Sequence, residues 1–309
     1  MGLTNFPNGV TSFGIPVMGS GPDLPATSGK YFFVNNSTGV DSPSYGTTIE
    51  KPFATIDYAI GKCTANASDV IVVLPGHSET SSANGTVFDV AGVRLVGLGT
   101  GKLRPTIIAS ANNSIVVSAN NVEISNIMIT ASANAITPII RVTGGHLTLS
   151  RVDYFQNATD CLTNAFLLTA AGANNMTIKN CYHACANASN ASGTGWIILT
   201  AANNARITDN FMWIIGANAA NGSVIQGTGT LSSQVLISRN TLVSAGGTAV
   251  TGVISMGNNS TGIASWNIIG GGNNAAASAF TDSANLTKYQ NYSIAINAGG
   301  NSAILLPAA

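Results

Sequence analysis

Charged side chains are scarce in this sequence. Only 8% of the 309 residues are Asp, Glu, Lys or Arg, and the 12 basic and 12 acidic groups cancel to a net charge of zero. About a quarter of an ordinary soluble domain is charged. So few cations build no basic face, which excludes an electrostatic nucleic-acid binder. No apolar run reaches the roughly 18 residues that a membrane helix requires. The four cysteines, Cys63, Cys161, Cys181 and Cys185, are too few to staple a chain of this length. Cys181 and Cys185 flank His183, but no second ligand pair completes a zinc site, so neither metal nor cofactor is expected. The opening MGLTNFPNGVTSFGIPVMGSG lacks the positive and apolar regions of a secretory signal. Its Asn5 and Phe6 also depart from a myristoylation signal.

What is present is a repeat. VRLVGL, VEISNI, LTLSRV and MTIKNC superpose directly, and ARITDNF, VLISRNT and GIASWNI follow with small adjustments. Their anchors are Leu95, Ile124, Leu149, Ile178, Ile207, Ile237 and Ile263, spaced 25 to 30 residues apart. That is the period of a solenoid rung, and it lets one chain of this length grow along a single axis without a second core. A further strand precedes each anchor (TVFDV, SIVVS, PIIRV, AFLLT, GWIIL, GSVIQ, GVISM), giving two clear strands per turn and a third, shorter one. The expected fold is all-β: a right-handed parallel β-helix whose anchors point into the bore and stack at about 4.8 Å per rung. Asn120, Asn121, Asn174, Asn175, Asn203 and Asn204 fall just before anchors, where axial Asn stacking accounts for their enrichment. Arg94 and Glu123 occupy one register position on successive rungs, as do Asp209 and Arg239. Both pairs are expected to be axial ion pairs of structural character.

The chain divides into an extended arm over 1–30, a cap over 31–75, rungs over 76–274 and a C-terminal cap or partner-contacting segment over 275–309. KPFATIDYAIGKC predicts a short capping helix beginning at Pro52, with Phe53, Ile56, Ala59 and Ile60 at helical spacing. SAILLPAA at the end predicts a final strand or a partner contact. The arm is rich in Gly and Pro with scattered apolar residues, which makes it neither a rung nor a charged disordered tail. Phe6, Pro7, Phe13, Ile15, Pro16, Val17 and Met18 are its expected assembly contacts.

The segment from Gly39 and Asp41 through Pro52, Phe53, Thr55, Ile56, Ala59 and Ile60 to Asp69, Ile71, Val73, Pro75, Gly76 and Glu79 resembles the opening of pectate-lyase-like β-helix proteins. His77 stands beside the glycine of that motif. The resemblance implies the pectin-lyase-like fold over about 31–270; it does not fix a function, because lyases, hydrolases, adhesins and inert structural proteins share that fold. The arm, LTNFPNGVTSFGIPVMGSG, is similar to the start of virion structural proteins of tailed bacteriophages. That similarity implies a virion component, a capsid decoration or cement protein ahead of a tail spike. Its partners would be the major capsid protein or other virion proteins and further copies of itself as a homotrimer, with a host glycan as a further ligand.

Catalytic residues are harder to nominate. A glycoside hydrolase needs two carboxylates about 5–9.5 Å apart. The rungs offer Asp89, Glu123, Asp153, Asp160 and Asp209, of which only Asp153 and Asp160 are close in sequence. The acids are too dispersed for the Ca²⁺ cluster of a polysaccharide lyase, and Arg151 and Lys179 stand apart as bases. His77, His146 and His183 lie on different rungs without a neighbouring nucleophile. Trp196, Trp213 and Trp266 are expected at strand ends or a subunit interface. No catalytic, cofactor or metal residue is therefore assigned. The competing expectation is a tail spike that binds or cleaves host polysaccharide. A surface adhesin ranks last, because it would need a secretion signal.

Overall fold

The structure is a computed structural model; it describes residues 27–155, 165–185, 195–215, 223–245, 252–257, 260–271, 278–281, 285–295 and 303–306, together with 11–12 and 15–16. It is a parallel β-solenoid with three strands per turn, so the shorter third strand is real. One face carries eight strands, from Thr86–Phe88 through Ile115–Val117 and Gly195–Leu199 to Ser278–Thr281, each paired in parallel with its axial neighbours. A second face runs from Tyr31–Val34 and Val70–Val73 through Arg94–Gly97 to Leu286–Tyr289. A third runs from Ser78–Ser81 and Thr106–Ala109 through Tyr182–Ala184 and Phe211–Ile215 to Asn291–Ala295. The long strands Glu123–Ala131 and Thr148–Phe155 pass from the second face to the third.

The second face is organised by its anchors. Leu95, Ile124, Leu149, Ile178, Ile207 and Ile237 lie in one register column, and all are buried. Burying each such side chain contributes about 1.5–3 kcal/mol, repeated rung after rung. The column continues at Ala264 rather than Ile263, which pairs with Leu236 and is 47% exposed. Strand side chains alternate between faces, so an offset of one residue turns Ile263 outward.

From the rung of Ile124 onward, the backbone two residues beyond the column position is left-handed: φ is 55° at Asn126, 53° at Arg151, 55° at Asn180, 59° at Asp209, 56° at Arg239, 58° at Trp266 and 47° at Gln290. This single residue turns the chain from the second face to the third. The next position is buried on each of these rungs, and its chemistry changes partway along: Ile127, Val152 and Cys181 are followed by Asn210, Asn240, Asn267 and Asn291. The Oδ1 atoms of Asn240, Asn267 and Asn291 each accept from both the backbone N–H and the Nδ2 of the Asn one rung earlier, at 2.9–3.1 Å, and Asn210 Oδ1 accepts from Cys181 N at 3.0 Å. Each Nδ2 also donates to an anchor-column carbonyl, as Asn240 does to Ile207 at 2.8 Å. Of the three doublets named from sequence, Asn174–Asn175 and Asn203–Asn204 form a second, more exposed ladder, whereas Asn120 Oδ1 accepts from Gly145 N at 2.7 Å. Asn174 Oδ1 accepts from Asn203 N at 3.0 Å, and Asn175 Oδ1 accepts from Asn204 Nδ2 at 2.8 Å.

The helix is Ile56–Ile60, so it starts later than Pro52. Thr55 sets the start, because its hydroxyl oxygen accepts from Tyr58 N–H as an N-cap. Asp41 accepts from the Ala54 and Thr55 backbone at 2.9 and 3.1 Å and from the Thr55 hydroxyl at 2.8 Å, fixing that cap. Phe53 is not helical; it bridges Val34 in parallel and packs in the core. Gly39 is required by this contact, since a Cβ there would lie 2.2 Å from the Phe53 carbonyl oxygen. At the other end Ala303–Leu306 pairs antiparallel with Asn291–Ala295, and no other described strand of the solenoid does so.

Candidate functional site

Three of the five carboxylates nominated from the sequence are spent on structure. Glu123 pairs with Arg94 at 3.1 Å, and Asp209 takes two contacts from Arg239 at 2.7 and 2.8 Å, as the register predicts. The Arg239 guanidinium holds the Asp209 carboxyl below its usual range. Asp153 pairs with Arg104, and its other oxygen accepts from Tyr182 N at 2.8 Å. Arg104 also donates to the Ile127 and Arg151 carbonyls, so this pair clamps a loop across the rungs. Asp89 is exposed, and Asp160 lies outside the described residues. Sequence reasoning passed over Asp57. Burial pushes its carboxyl up, against a hydrogen bond from Val87 N, and the charges of Asp89, Glu79 and Asp41 add to the rise. Among the described residues no three His, Cys, Asp or Glu side chains are arranged to hold a metal ion.

The Cys181-His183-Cys185 segment is core. Burial pushes both thiols up to about 12 and the imidazole down to about 4. His183 Nδ1 accepts from Trp196 Nε1 at 2.7 Å, which leaves Nε2–H to donate to the Val152 carbonyl at 3.0 Å. The ring is therefore a neutral, fully satisfied bridge inside an aromatic cluster with Tyr154 and Phe166. Trp196 belongs to that cluster and is buried. His77 is also buried: its Nδ1 accepts from Asn36 N at 3.1 Å and its Nε2 lies 3.3 Å from Glu79.

The surface carries two features open to a partner. One is an open polar groove of about 480 Å³, lined by Arg94, Asn121, Glu123, His146 and Thr148 on the second face and Thr27 and Ser28. The other is aromatic. On the third face Phe155, Tyr182, Phe211 and Trp213 point outward, with Ile268 and Tyr292 further along. Tyr182 and Phe211 stack at 4.9 Å with 7° between their planes, because consecutive rungs place them directly over one another. Around the corner Trp266 stands 50% exposed with Tyr289 at 6.0 Å. The alternation that exposes these rings is in the sequence, but it is visible only once the register is known. Of the expected arm contacts, Ile15 and Pro16 form a two-residue strand paired with Thr11–Ser12. Phe6, Pro7, Phe13, Val17 and Met18 lie outside the described residues.

These features define the class: a parallel β-solenoid whose described rung carboxylates are largely held in ion pairs, with an aromatic lateral face. No protein-family model matches the chain, and no curated protein matches it. Among solved structures it is similar to a rhamnogalacturonan lyase, at 14% identity and TM-score 0.46 over 78% of this chain and 68% of that one. It is also similar to the GH136 lacto-N-biosidase of Eubacterium ramulus, at 12% identity and TM-score 0.38 over 85% and 67%. A third likeness is ORF18 of Geobacillus virus E2, at 13% identity and TM-score 0.33 over 89% and 64%.

Proposed function

We propose that this chain is a non-enzymatic structural component of a tailed-phage virion, a capsid decoration protein anchored to the shell through the arm at 1–30. The observation that carries the non-enzymatic part is the commitment of Glu123, Asp153 and Asp209 to arginines of other rungs or loops. A carboxylate locked in such a pair serves poorly as a general acid or nucleophile, which needs a free oxygen aimed at substrate. The virion part rests on the resemblance of the arm. Cryo-EM of particles carrying this chain tests it: density on the head lattice with the arm against the shell supports the proposal, and density confined to the tail tip overturns it.

The alternative is a tail spike that binds or cleaves host polysaccharide. The observation in its favour is the open groove of Arg94, Asn121, Glu123 and His146, whose donors and acceptors suit sugar hydroxyls. A screen on host polysaccharides, with Asp153→Asn and Asp160→Asn as comparisons, separates the two. Turnover by the parent chain that disappears in either variant would reverse the preference.

A further inference from the structure

Two grooves on the second face share one register. Three residues before the anchor column, the chain passes from Ser68 on the second rung through Asn121, His146, Asn175 and Asn204 to Gln234 on the eighth, all left-handed with φ between 55° and 63°. Directly before the column it passes from Arg94 on the third rung through Glu123, Thr148, Thr177 and Leu236 to Ile263 on the ninth. The polar groove described above lies between these two columns on the third to fifth rungs. A second groove, of about 390 Å³, lies between them on the seventh to ninth. Asn175 and Thr177 join the two on the sixth rung, so they are stretches of one axial edge. The first stretch is polar. The far one is apolar, lined by Val235, Leu236 and the exposed Ile263 with Arg206 at its margin.

The chain itself begins on this edge. Thr27 and Ser28 precede Tyr31–Val34, the first strand of the second face, yet they line the polar groove with Glu123, His146 and Thr148 of the fourth and fifth rungs. The Thr27 hydroxyl donates to the Ser68 carbonyl, and Lys30 N donates to Asp69 Oδ1 at 2.7 Å. These contacts pin the entry on the second rung, where it faces the later rungs along the axis.

We propose that residues 17–26 lie extended along this edge of their own solenoid, with Asp23 against His146 and with Val17 and Met18 against Leu236 and Ile263. Length selects this occupant first. Rungs are about 4.8 Å apart, and an extended residue covers about 3.3 Å. From the second rung to His146 on the fifth is about 14 Å, or about four residues, which ends at Asp23. To the eighth and ninth rungs is about 29–34 Å, or about nine to ten residues, which ends at Met18 and Val17. Pro22 and Pro25 favour an extended backbone over this stretch. Charge selects it next. Asp23 is the sole charged side chain among the first 29 residues. His146 is exposed, and with Asn175 Nδ2 donating to its Nε2 at 3.2 Å it keeps Nδ1–H to give to a carboxylate. The pairing of Ile15–Pro16 with Thr11–Ser12 reverses the chain just beyond Val17, so the docked stretch ends where the apolar groove does. The inference concerns the free molecule and is independent of what the arm meets in a particle.

Paired cysteines in the full chain test the register, with disulfides mapped by peptide mass spectrometry after equilibration in a glutathione buffer. Met18→Cys with Ile263→Cys is expected to cross-link within one chain. Met18→Cys with Thr148→Cys is expected to cross-link about tenfold less, because the docked segment holds those two thiols apart. Cleavage by chymotrypsin after Met18 and Leu24 is a second readout. Ile263→Glu is expected to raise its rate about tenfold with unchanged circular dichroism, since proteolysis follows the undocked fraction. Leu103→Glu, at an exposed apolar residue on a loop elsewhere, is expected to leave the rate as it is. Equal cross-linking of the two cysteine pairs, or a parent arm cleaved as fast as that of the Ile263→Glu variant, overturns the inference. So does a Met18→Cys to Ile263→Cys disulfide that joins two chains, which would give the edge to a neighbouring copy's arm.

Discussion

The buried asparagine ladder invites a direct test. Asn240 makes four buried side-chain hydrogen bonds: Nδ2 to the Ile207 carbonyl and to Asn267 Oδ1, and Oδ1 from Asn210 N and Nδ2. Valine fits the column, as Val152 shows. Asn240→Val leaves the Asn210 backbone N–H with no acceptor. Asn210 Nδ2 keeps the Ile178 carbonyl, and Asn267 Oδ1 keeps the Asn240 backbone N–H. One buried orphan at about 1–3 kcal/mol, plus the further lost bonds, gives a destabilisation of about 3 kcal/mol. Cys181→Val in the same column removes no ladder acceptor and is expected to cost below about 1.5 kcal/mol. Asn240→Val combined with Asn267→Val is expected to fall short of the sum of the singles by on the order of 1 kcal/mol, because the bond between them is lost only once. Urea unfolding measures the totals, and native-state hydrogen exchange at the Asn210 amide measures the local loss. Equal costs at 181 and 240, or full additivity of the double variant, would refute the reasoning.

Acid should weaken the fold through His183. The unfolded chain takes up this proton near pH 6.5 and the fold resists until about 4. The contribution is therefore complete above pH 6.5 and is lost as pH falls toward 4, about 3 kcal/mol in all. His183→Met, matching Met212 on the next rung, is expected to flatten the urea midpoint across that window. Thiols Cys63, Cys181 and Cys185, all pushed up to about 12 by burial, should resist a disulfide reagent at pH 8 and react once urea unfolds the chain; rapid labelling of the native protein at these positions would contradict the packing. Arg104→Ala should destabilise by about 3 kcal/mol by leaving Asp153 unpaired and largely buried, measured as a fall in the unfolding midpoint. Arg239→Ala, at an exposed pair, should lower the melting temperature slightly at low salt and not at all in 1 M NaCl.

The rung was legible because its signal is a period: aliphatic anchors and opposite charges recur at one spacing, and the register converts spacing into contact. Ile263 misled because GIASWNI places its isoleucine beside the small residue that enters the bore, and hydrophobicity alone favours the larger one. The buried ladder was missed for a related reason. Asn210, Asn240, Asn267 and Asn291 stand alone among apolar residues, whereas the doublets before the anchors catch the eye. The helix start was misjudged because Pro52 is a legitimate first helical residue, and only the Asp41 contacts to the Thr55 cap rule it out. The aromatic face could not be read at all without knowing which strand residues point outward.

The reversed strand Ala303–Leu306 changes what the last described edge of the third face offers to another chain. A bare final rung would offer its edge as a template on which the first rung of another molecule could continue the parallel pairing, and head-to-tail growth of that kind ends in filaments. Ala303–Leu306 runs the wrong way for that continuation. On the third face the described ladder therefore ends in a strand whose free edge invites antiparallel rather than parallel continuation.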